Sequence, residues 1–375
     1  MVPSKTFLSL CRSPSIVKRG HEPDNHMISV IDPRVDERWD NFVLSHPDST
    51  IFHHSAWARV LAERYDSYPN YYILENEHGE VIAAAPFFQL KRPIIGKRMV
   101  CLPCSELCFP LGNSHDDLKL MMDHVVAGVD SDSFSYLEIR GWGEQGFPVQ
   151  LGLKERPSYL THVVDLSDGL ERLRSRMARN ARYNLRYGQK SPVSIREGQD
   201  EDDLKEFHRL SVATRQRLNL LPWPYRFFQS IYRHIILPGH GYFSLAEVDG
   251  RVVAANMYFC FKDTITHKFH AADEQYLNYR PNYVLIWHAM ERAYQESYRY
   301  YHFGVTDLQD KNLARFKRQW GSREATMLYY YYPNAKGLSS LPQDSLTYRA
   351  YTRVNSWLPE FALKLASEAL YKYMG

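Results

Sequence analysis

Two stretches of the chain carry the same order of apolar, polar and turn positions. Tyr71-Tyr-Ile-Leu-Glu-Asn-Glu-His-Gly79 runs into Glu-Val-Ile-Ala-Ala-Ala-Pro-Phe-Phe88. Tyr242-Phe-Ser-Leu-Ala-Glu-Val-Asp-Gly250 runs into Arg-Val-Val-Ala-Ala-Asn-Met-Tyr-Phe259, at a constant offset of 171 residues. Each reads as strand, two-residue turn, strand. Glycine would supply the positive φ of a type I′ turn at His78-Gly79 and at Asp249-Gly250. The small Ala-Ala pair marks a strand that a neighbour approaches closely. The pattern after each hairpin repeats too. Arg98 to Leu102 reads as strand, Asp116 to Val126 as helix and Ser135 to Arg140 as strand. Thr264 to His270, Asn282 to Tyr294 and Arg299 to Phe303 follow in the same order. Strand–strand–strand–helix–strand, twice, describes a duplicated α/β (α+β) unit, each copy a mixed, mostly antiparallel sheet flanked by helices.

Helical lead-ins precede each hairpin, at Trp39 to Leu44 and Ser55 to Tyr65, then at Asp202 to Leu218 and Trp223 to Ile236. Between the halves, Gly169 to Lys190 is rich in arginine. On one helix, Arg172, Arg176, Arg179 and Arg186 would fall largely on one face. Few acidic residues interrupt them, so Arg179, Arg182 and Arg186 are candidates for holding phosphate groups. From Leu346 onward an amphipathic pattern (Trp357, Leu358, Phe361, Leu365, Leu370) suits a helix packed on the body, with peripheral membrane contact as the alternative. The expected organisation is a disordered leader over 1–26, a first domain over 27–160, a second over 161–335 with its basic helix, and a helical tail over 336–375.

Composition narrows the class. A chain of 375 residues with 44% hydrophobic and 24% charged residues can build two cores. A net charge of +3 gives no global basic field for nucleic acid or a membrane. No apolar run approaches the roughly 18 residues of a spanning helix. Five cysteines, an odd and low count, fit a reducing cytoplasm. Cys101, Cys104 and Cys108 have no second Cys or His pair at ligand spacing, so no metal is expected. Walker, dinucleotide, zinc-protease and nucleophile-elbow signatures are absent, which argues against those chemistries.

The chemistry-bearing segment follows the second hairpin. Tyr279-Arg280-Pro281-Asn282 opens an apolar helix, with proline where its missing N–H costs nothing. The free N–H groups there favour an anion, and Arg280 adds a charged fork. Phe303-Gly304-Val305-Thr306-Asp307 ends a strand, the usual place for ligand groups in α/β folds. Leu313 to Gly321 then puts Arg315, Lys317 and Arg318 on a short helix.

These segments, with Met177-Ala-Arg-Asn-Ala-Arg-Tyr-Asn-Leu-Arg186, together resemble the FemAB-like branch of the N-acetyltransferase (GNAT) superfamily, from about Met27 to Pro333. The resemblance implies two tandem GNAT-like domains. It also implies transfer of an acyl or aminoacyl group, from acyl-CoA or aminoacyl-tRNA, to an amine of a cell-envelope or polysaccharide precursor. Relatives of this kind use aminoacyl-tRNA for peptidoglycan bridges, or accompany exopolysaccharide gene sets. On that basis His270 or Glu247 would be the base, Asp307 would orient the acceptor and Tyr279 would protonate the leaving group. Arg280, Asn282 and Lys317 would hold the donor, and Lys268 would join the arginines in contacting phosphate or substrate. The chain departs from the family at His302, where Asp is frequent, and at Val305, where Arg is frequent. It also lacks the glycine-rich pyrophosphate loop and a long helical hairpin insertion. The missing insertion weighs against aminoacyl-tRNA as donor, while the missing glycine loop and His302 favour the alternative of a non-catalytic GNAT-fold scaffold that binds nucleic acid or a glycan precursor.

Overall fold

A computed structural model describes residues 26–64, 69–92, 96–132, 134–141 and 151–333. The leader (His26 apart) and the tail, with its membrane-contact alternative, lie outside the described residues. The chain divides into two compact units, which comprise residues 26–157 with 328–333, and residues 158–327. Among the described residues the second unit therefore closes earlier than the expected 335, because Leu328–Tyr332 pairs with Leu137–Gly141 within the first unit.

In unit 1 the strands are β1 (Met27–Ile31), β2 (Pro69–Glu75), β3 (Val81–Arg92), β4 (Gly96–Cys101), the short β5 (Leu111–Gly112) and β6 (Leu137–Gly141). They lie in the order β1-β2-β3-β4-β6, followed by Leu328–Tyr332, while β5 pairs with β3. Helices α1 (Glu37–Ser45), α2 (Ser55–Arg64) and α3 (His115–Ser131) complete the unit. Trp39, Trp57, Tyr71, Phe87 and Phe88 are fully buried, and Trp39 meets Tyr71 edge to face at 4.6 Å. Such aromatic burial, with edge-on geometry, is the main source of core energy in a sheet-and-helix layer. The first hairpin differs from expectation. Asn76 to Gly79 forms a longer turn, closed by Gly79 N–H donating to the Asn76 carbonyl at 3.0 Å, with the Asn76 side chain accepting from His78 and Glu80.

Unit 2 begins within β7 (Lys154–Asp165), continues through α4 (Leu170–Arg176), α5 (Arg179–Lys190), β8 (Ser194–Glu197), α6 (Glu201–Arg217) and α7 (Tyr225–Ile231), and reaches the hairpin β9 (Gly241–Val248) and β10 (Arg251–Phe261). After it come β11 (Thr264–Ala272), a 3-10 turn (Glu274–Tyr279), α8 (Pro281–Gln295), β12 (Tyr300–Asp307), α9 (Lys311–Arg318) and β13 (Arg323–Tyr332). The sheet order is β7-β12-β11-β10-β9-β8, with β11 and β12 parallel and the other neighbours antiparallel. Here the hairpin turn is as expected, since Asp249 and Gly250 both have positive φ (51° and 75°).

The arginine-rich stretch is two helices rather than one. The break at Met177-Ala178 is fixed by Ala178 N–H donating to the Gln319 carbonyl at 2.8 Å. Helices α4, α5 and α8 cover one sheet face, where Leu173, Leu185, Ile286 and Trp287 pack with Tyr242, Tyr258 and Tyr301. The other face meets α6 and α7, with Phe207 against Phe243 and Phe228 against Phe269. One alanine of the repeated pair, Ala254, now has a reason. Ala246 and Ala254 are fully buried in one cluster with Leu285 of α8, and smaller side chains let the helix lie close to the strands.

Candidate active site

Strands β11 and β12 pair in parallel over three positions, Thr264 to Thr266 against Tyr300 to His302. Beyond these the strands run on to Ala272 and Asp307 without pairing with each other, which opens a gap at their carboxyl ends. A gap there is where α/β sheets bind ligands. A bulge sharpens it. His267 pairs with Tyr258 and His270 with Asn256, so Lys268 is the extra residue. In a regular strand residues three apart point to opposite faces, but the insertion brings His267 and His270 to one face, with perpendicular rings 6.3 Å apart.

That face carries a connected polar network. His270 Nδ1 lies 2.8 Å from Asn256 Oδ1, and Asn256 Nδ2 donates to the Tyr258 hydroxyl at 2.9 Å. The Tyr258 hydroxyl donates to the Leu285 carbonyl of α8 at 3.3 Å, and the Tyr301 hydroxyl lies 3.2 Å from His267 Nδ1. Asn256, Tyr258 and Tyr301 are fully buried. His270 is exposed. Crowding by protein, and secondarily the Arg217 cation, pushes its pKa down to about 4. His267 is pushed well below its ordinary 6.5, first by burial and then by His270 and Lys317. Both rings are therefore neutral near pH 7.

A cavity of about 270 Å³ opens at the start of α8, lined by Asn184, Leu277, Arg280, Pro281, Asn282, Tyr283 and Phe316. Helix α8 begins at Pro281, with no side-chain cap and no acidic residue in its first turn. By contrast α3 is capped by Ser114 and carries Asp116 and Asp117, and α6 is capped by Asp200 and followed by three acidic residues. Carboxylates repel an anion from those two ends, while the dipole of α8 favours one, with Pro281 lacking an N–H and the N–H of Tyr283 donating to the Arg280 carbonyl at 3.1 Å. Asn282 Oδ1 is buried in the described structure with no partner, so the cavity also offers an unmet acceptor. Ring contacts run from cavity to histidines: Tyr283 to Trp320 at 5.6 Å, Trp320 to Phe303 at 6.3 Å, and Phe303 to His267 at 6.4 Å.

Several residues read from the sequence take other positions. Arg280, at left-handed φ of 60°, gives Nε to Asn184 Oδ1 and one Nη to the Leu277 carbonyl, both at 2.8 Å. One N–H of its fork therefore ties α5 to the start of α8, and another ties the preceding 3-10 turn. Lys317 is buried, and its Nζ donates to the carbonyls of Gly304 and Val305 at 3.3 and 3.0 Å, so its charge closes the end of β12. Glu247 pairs with Arg196 at 2.6 Å; strand alternation turns it away from the face of Tyr242 and Ser244, and hence from His270. Tyr279 ends the 3-10 turn beside Tyr276, with ring centroids 6.1 Å apart. Asp307 accepts from Gln309 N–H at 2.8 Å in the turn after β12. Lys268 reaches over the Phe269 ring at 5.7 Å. Arg182 donates to the Ser175 carbonyl at 3.2 Å, while Arg179 and Arg186 are exposed on α5. His302 is buried against Thr161 Oγ1 at 2.5 Å and accepts from Gly304 N–H, which fixes the irregular end of β12.

Asn256, Tyr258 and His267 were not singled out by the sequence reading. A polar Asn inside the apolar run Val252 to Phe261 was the available signal, because a buried amide needs partners. A further buried histidine, His162, lies 2.8 Å from Glu324 Oε2, with its Nδ1 unpartnered. Among the described residues no group of His, Cys, Asp and Glu is arranged to hold a metal ion.

With this geometry in view, comparison with known proteins gives the class. Residues 174–318 match the acetyltransferase (GNAT) domain family. The chain superposes on the crystal structure of FemX with a TM-score of 0.67 at 15% identity, over 81% of this chain and 96% of that one. The C-terminal domain of a putative lysylphosphatidylglycerol synthetase from Agrobacterium fabrum gives 0.54 at 13% identity, over 80% and 91%. A tandem GNAT protein from the clavulanic acid biosynthesis pathway gives 0.53 at 10% identity, over 82% and 98%. No curated protein matches in sequence. The fold is thus the tandem GNAT fold. Within it, residues 174–318 carry the matched acetyltransferase (GNAT) domain.

Proposed function

We propose that this protein takes an acyl or aminoacyl group from a phosphate-bearing donor, acyl-CoA or aminoacyl-tRNA, and transfers it to an amine of a cell-envelope or polysaccharide precursor. The observation that carries this reading is that the α8 cavity and the histidine face lie in one unit, joined by the packed rings of Tyr283, Trp320 and Phe303. Donor phosphate would sit at the first turn of α8, with the backbone N–H and the side-chain NH2 group of Asn282 as its contacts. The reacting carbonyl would lie in the gap between β11 and β12. There His270 would take the amine proton as nitrogen attacks. The similarity to FemX and to a lysylphosphatidylglycerol synthetase domain supports an aminoacyl donor and an envelope acceptor. Exposed Arg179 and Arg186 on α5, the helix that Arg280 ties to α8, would extend the phosphate contacts of a larger donor.

The test is binding and turnover with each donor. Titrating the full chain with acetyl-CoA and with aminoacyl-tRNA should give saturable binding to one of them, followed by acyl transfer when a primary amine is added. Asn282→Asp places a carboxylate at the anion end of α8 and should weaken that binding about tenfold, the equivalent of roughly 1.4 kcal/mol. Equal affinity in the variant would overturn the placement of the donor. Binding without transfer to any amine would favour a scaffold role instead.

A further inference from the structure

The polar network beneath His270 decides which of its ring nitrogens carries the proton. The Leu285 carbonyl can only accept, so the Tyr258 hydroxyl gives it its hydrogen. The Tyr258 oxygen is then left as an acceptor, and the Asn256 amide must present its NH2 group there, at 2.9 Å. That fixes the amide the other way round at its far end. Asn256 Oδ1 faces His270 Nδ1 at 2.8 Å, and an oxygen in that place requires N–H at Nδ1. His270 Nε2 thereby keeps its lone pair, on a residue that is exposed while Asn256 and Tyr258 are fully buried.

From this geometry we infer that Asn256 and Tyr258 are positioning residues that lock His270 in the Nδ1–H tautomer, anchored on the Leu285 carbonyl of α8, so that His270 serves as a base rather than a hydrogen-bond donor. The inference deepens the acyl-transfer reading and rests on it for the role of the base, though the lock itself is a property of the free protein. In the step it serves, the amine nitrogen bonds to the acyl carbon and its proton passes to His270 Nε2. The carbon–sulfur or carbon–oxygen bond of the donor breaks, its electron pair leaves with the sulfur or oxygen, and that atom takes the proton back from His270. The ring ends neutral. With the amide reversed, Nε2 would carry hydrogen and could not accept. A buried amide held at both ends is costly to reverse, since reversal sets like groups against each other at 2.8 and 2.9 Å.

Nitrogen-15 imidazole NMR of the full chain reads the tautomer directly and needs no substrate. The chain has 16 histidines, so the His270 signal is assigned by its loss in His270→Gln. The wild type should show His270 with hydrogen on Nδ1. Asn256→Ala should release it to a mixture of tautomers and lower kcat by about a hundredfold, with the donor KM unchanged. Asn256→Asp still offers an oxygen to Nδ1–H, so it should keep the tautomer and restore most of kcat, which a purely structural role for Asn256 would not predict. Hydrogen on Nε2 in the wild type, or an unchanged tautomer in Asn256→Ala, overturns the inference. The expected tautomer together with full transfer activity in His270→Gln would keep the lock and remove the base from the acyl-transfer reading.

Discussion

His270 shows how one residue's chemistry is set by its surroundings rather than by its type. Its Nδ1 is tied inward through Asn256, while the residue as a whole is exposed. Protein crowding and Arg217 disfavour the imidazolium, and the ring holds no carboxylate partner in the hydrogen bonds described. If this ring is the base, kcat/KM should fall on acidification with a limb below the ordinary 6.5 of histidine, tending toward about 4. Rates measured from pH 8 downward, over the range where circular dichroism reports a folded chain, would show the limb. His270→Gln should lower the plateau by about a hundredfold and abolish the limb. An identical limb in the variant would assign the titration to another group. Sequence spacing could not have exposed this arrangement. His267 and His270 lie three apart on a strand and would point to opposite faces but for the extra residue Lys268 in the bulge. Lys317 misled in the opposite way. A lysine on a short basic helix looks available for phosphate, and only the approach of the β12 carbonyls shows its charge to be engaged.

At the level of elements, the α8 cavity depends on how closely α5 lies on the start of α8. Gly188 makes that approach. A Cβ added there would come within 2.7 Å of Val284 Cγ2 and 3.1 Å of the Arg280 carbonyl oxygen. Arg280 and Asn184 bridge the same two helices beside the cavity. Gly188→Val should force α5 away from α8, cost about 1–3 kcal/mol of stability, and weaken donor binding more than it alters the rest of the unit. Thermal melting and donor titration of the variant check this together; a variant that melts normally and binds normally would show that the contact does not shape the cavity. The helix start itself was legible, because proline at the first helical position and the absence of acidic residues are local signals. The second hairpin was legible for the same reason, with Asp249-Gly250 meeting the demands of its turn. The duplication also survived, since both units set a parallel strand pair, β4 with β6 and β11 with β12, after an antiparallel hairpin. Strand β7 was missed. Lys154 to Asp165 contains Pro157 and lacks a clean alternation, and β7 becomes a strand through pairing with β12, far away in sequence. The break between α4 and α5 was missed because Gln319, which receives the Ala178 N–H, lies well over a hundred residues further on.

At the scale of the whole molecule, histidines that stay neutral inside unit 2 make stability depend on pH. His162 is fully buried; burial first, then the Lys317 cation, lowers its pKa to about 4, although the Glu324 carboxylate pulls the other way. Its unfolded value is about 6.5, so between those two values the unfolded chain binds the proton more readily than the folded one. Stability from this group is therefore complete above about pH 6.5, falls as pH drops toward 4, and changes little further below. At pH 4.5 the loss from His162 amounts to about 2–3 kcal/mol, a sizeable part of the 5–15 kcal/mol of a typical domain. His267, pushed in the same direction by burial, adds to the loss over the same range. Carboxylates held low by arginines, such as Asp32 beside Arg34 and Asp203 beside Arg196, contribute only as pH falls past the ordinary range near 4, so the histidine effect comes first on acidification. His162→Gln can still donate to Glu324 but does not titrate. Urea midpoints at pH 7 and pH 4.5 should therefore differ less in His162→Gln than in the wild type, by an amount equivalent to about 2–3 kcal/mol. An equal drop in both proteins would mean that His162 is already protonated in the folded chain at pH 4.5, with Glu324 rather than burial deciding its charge.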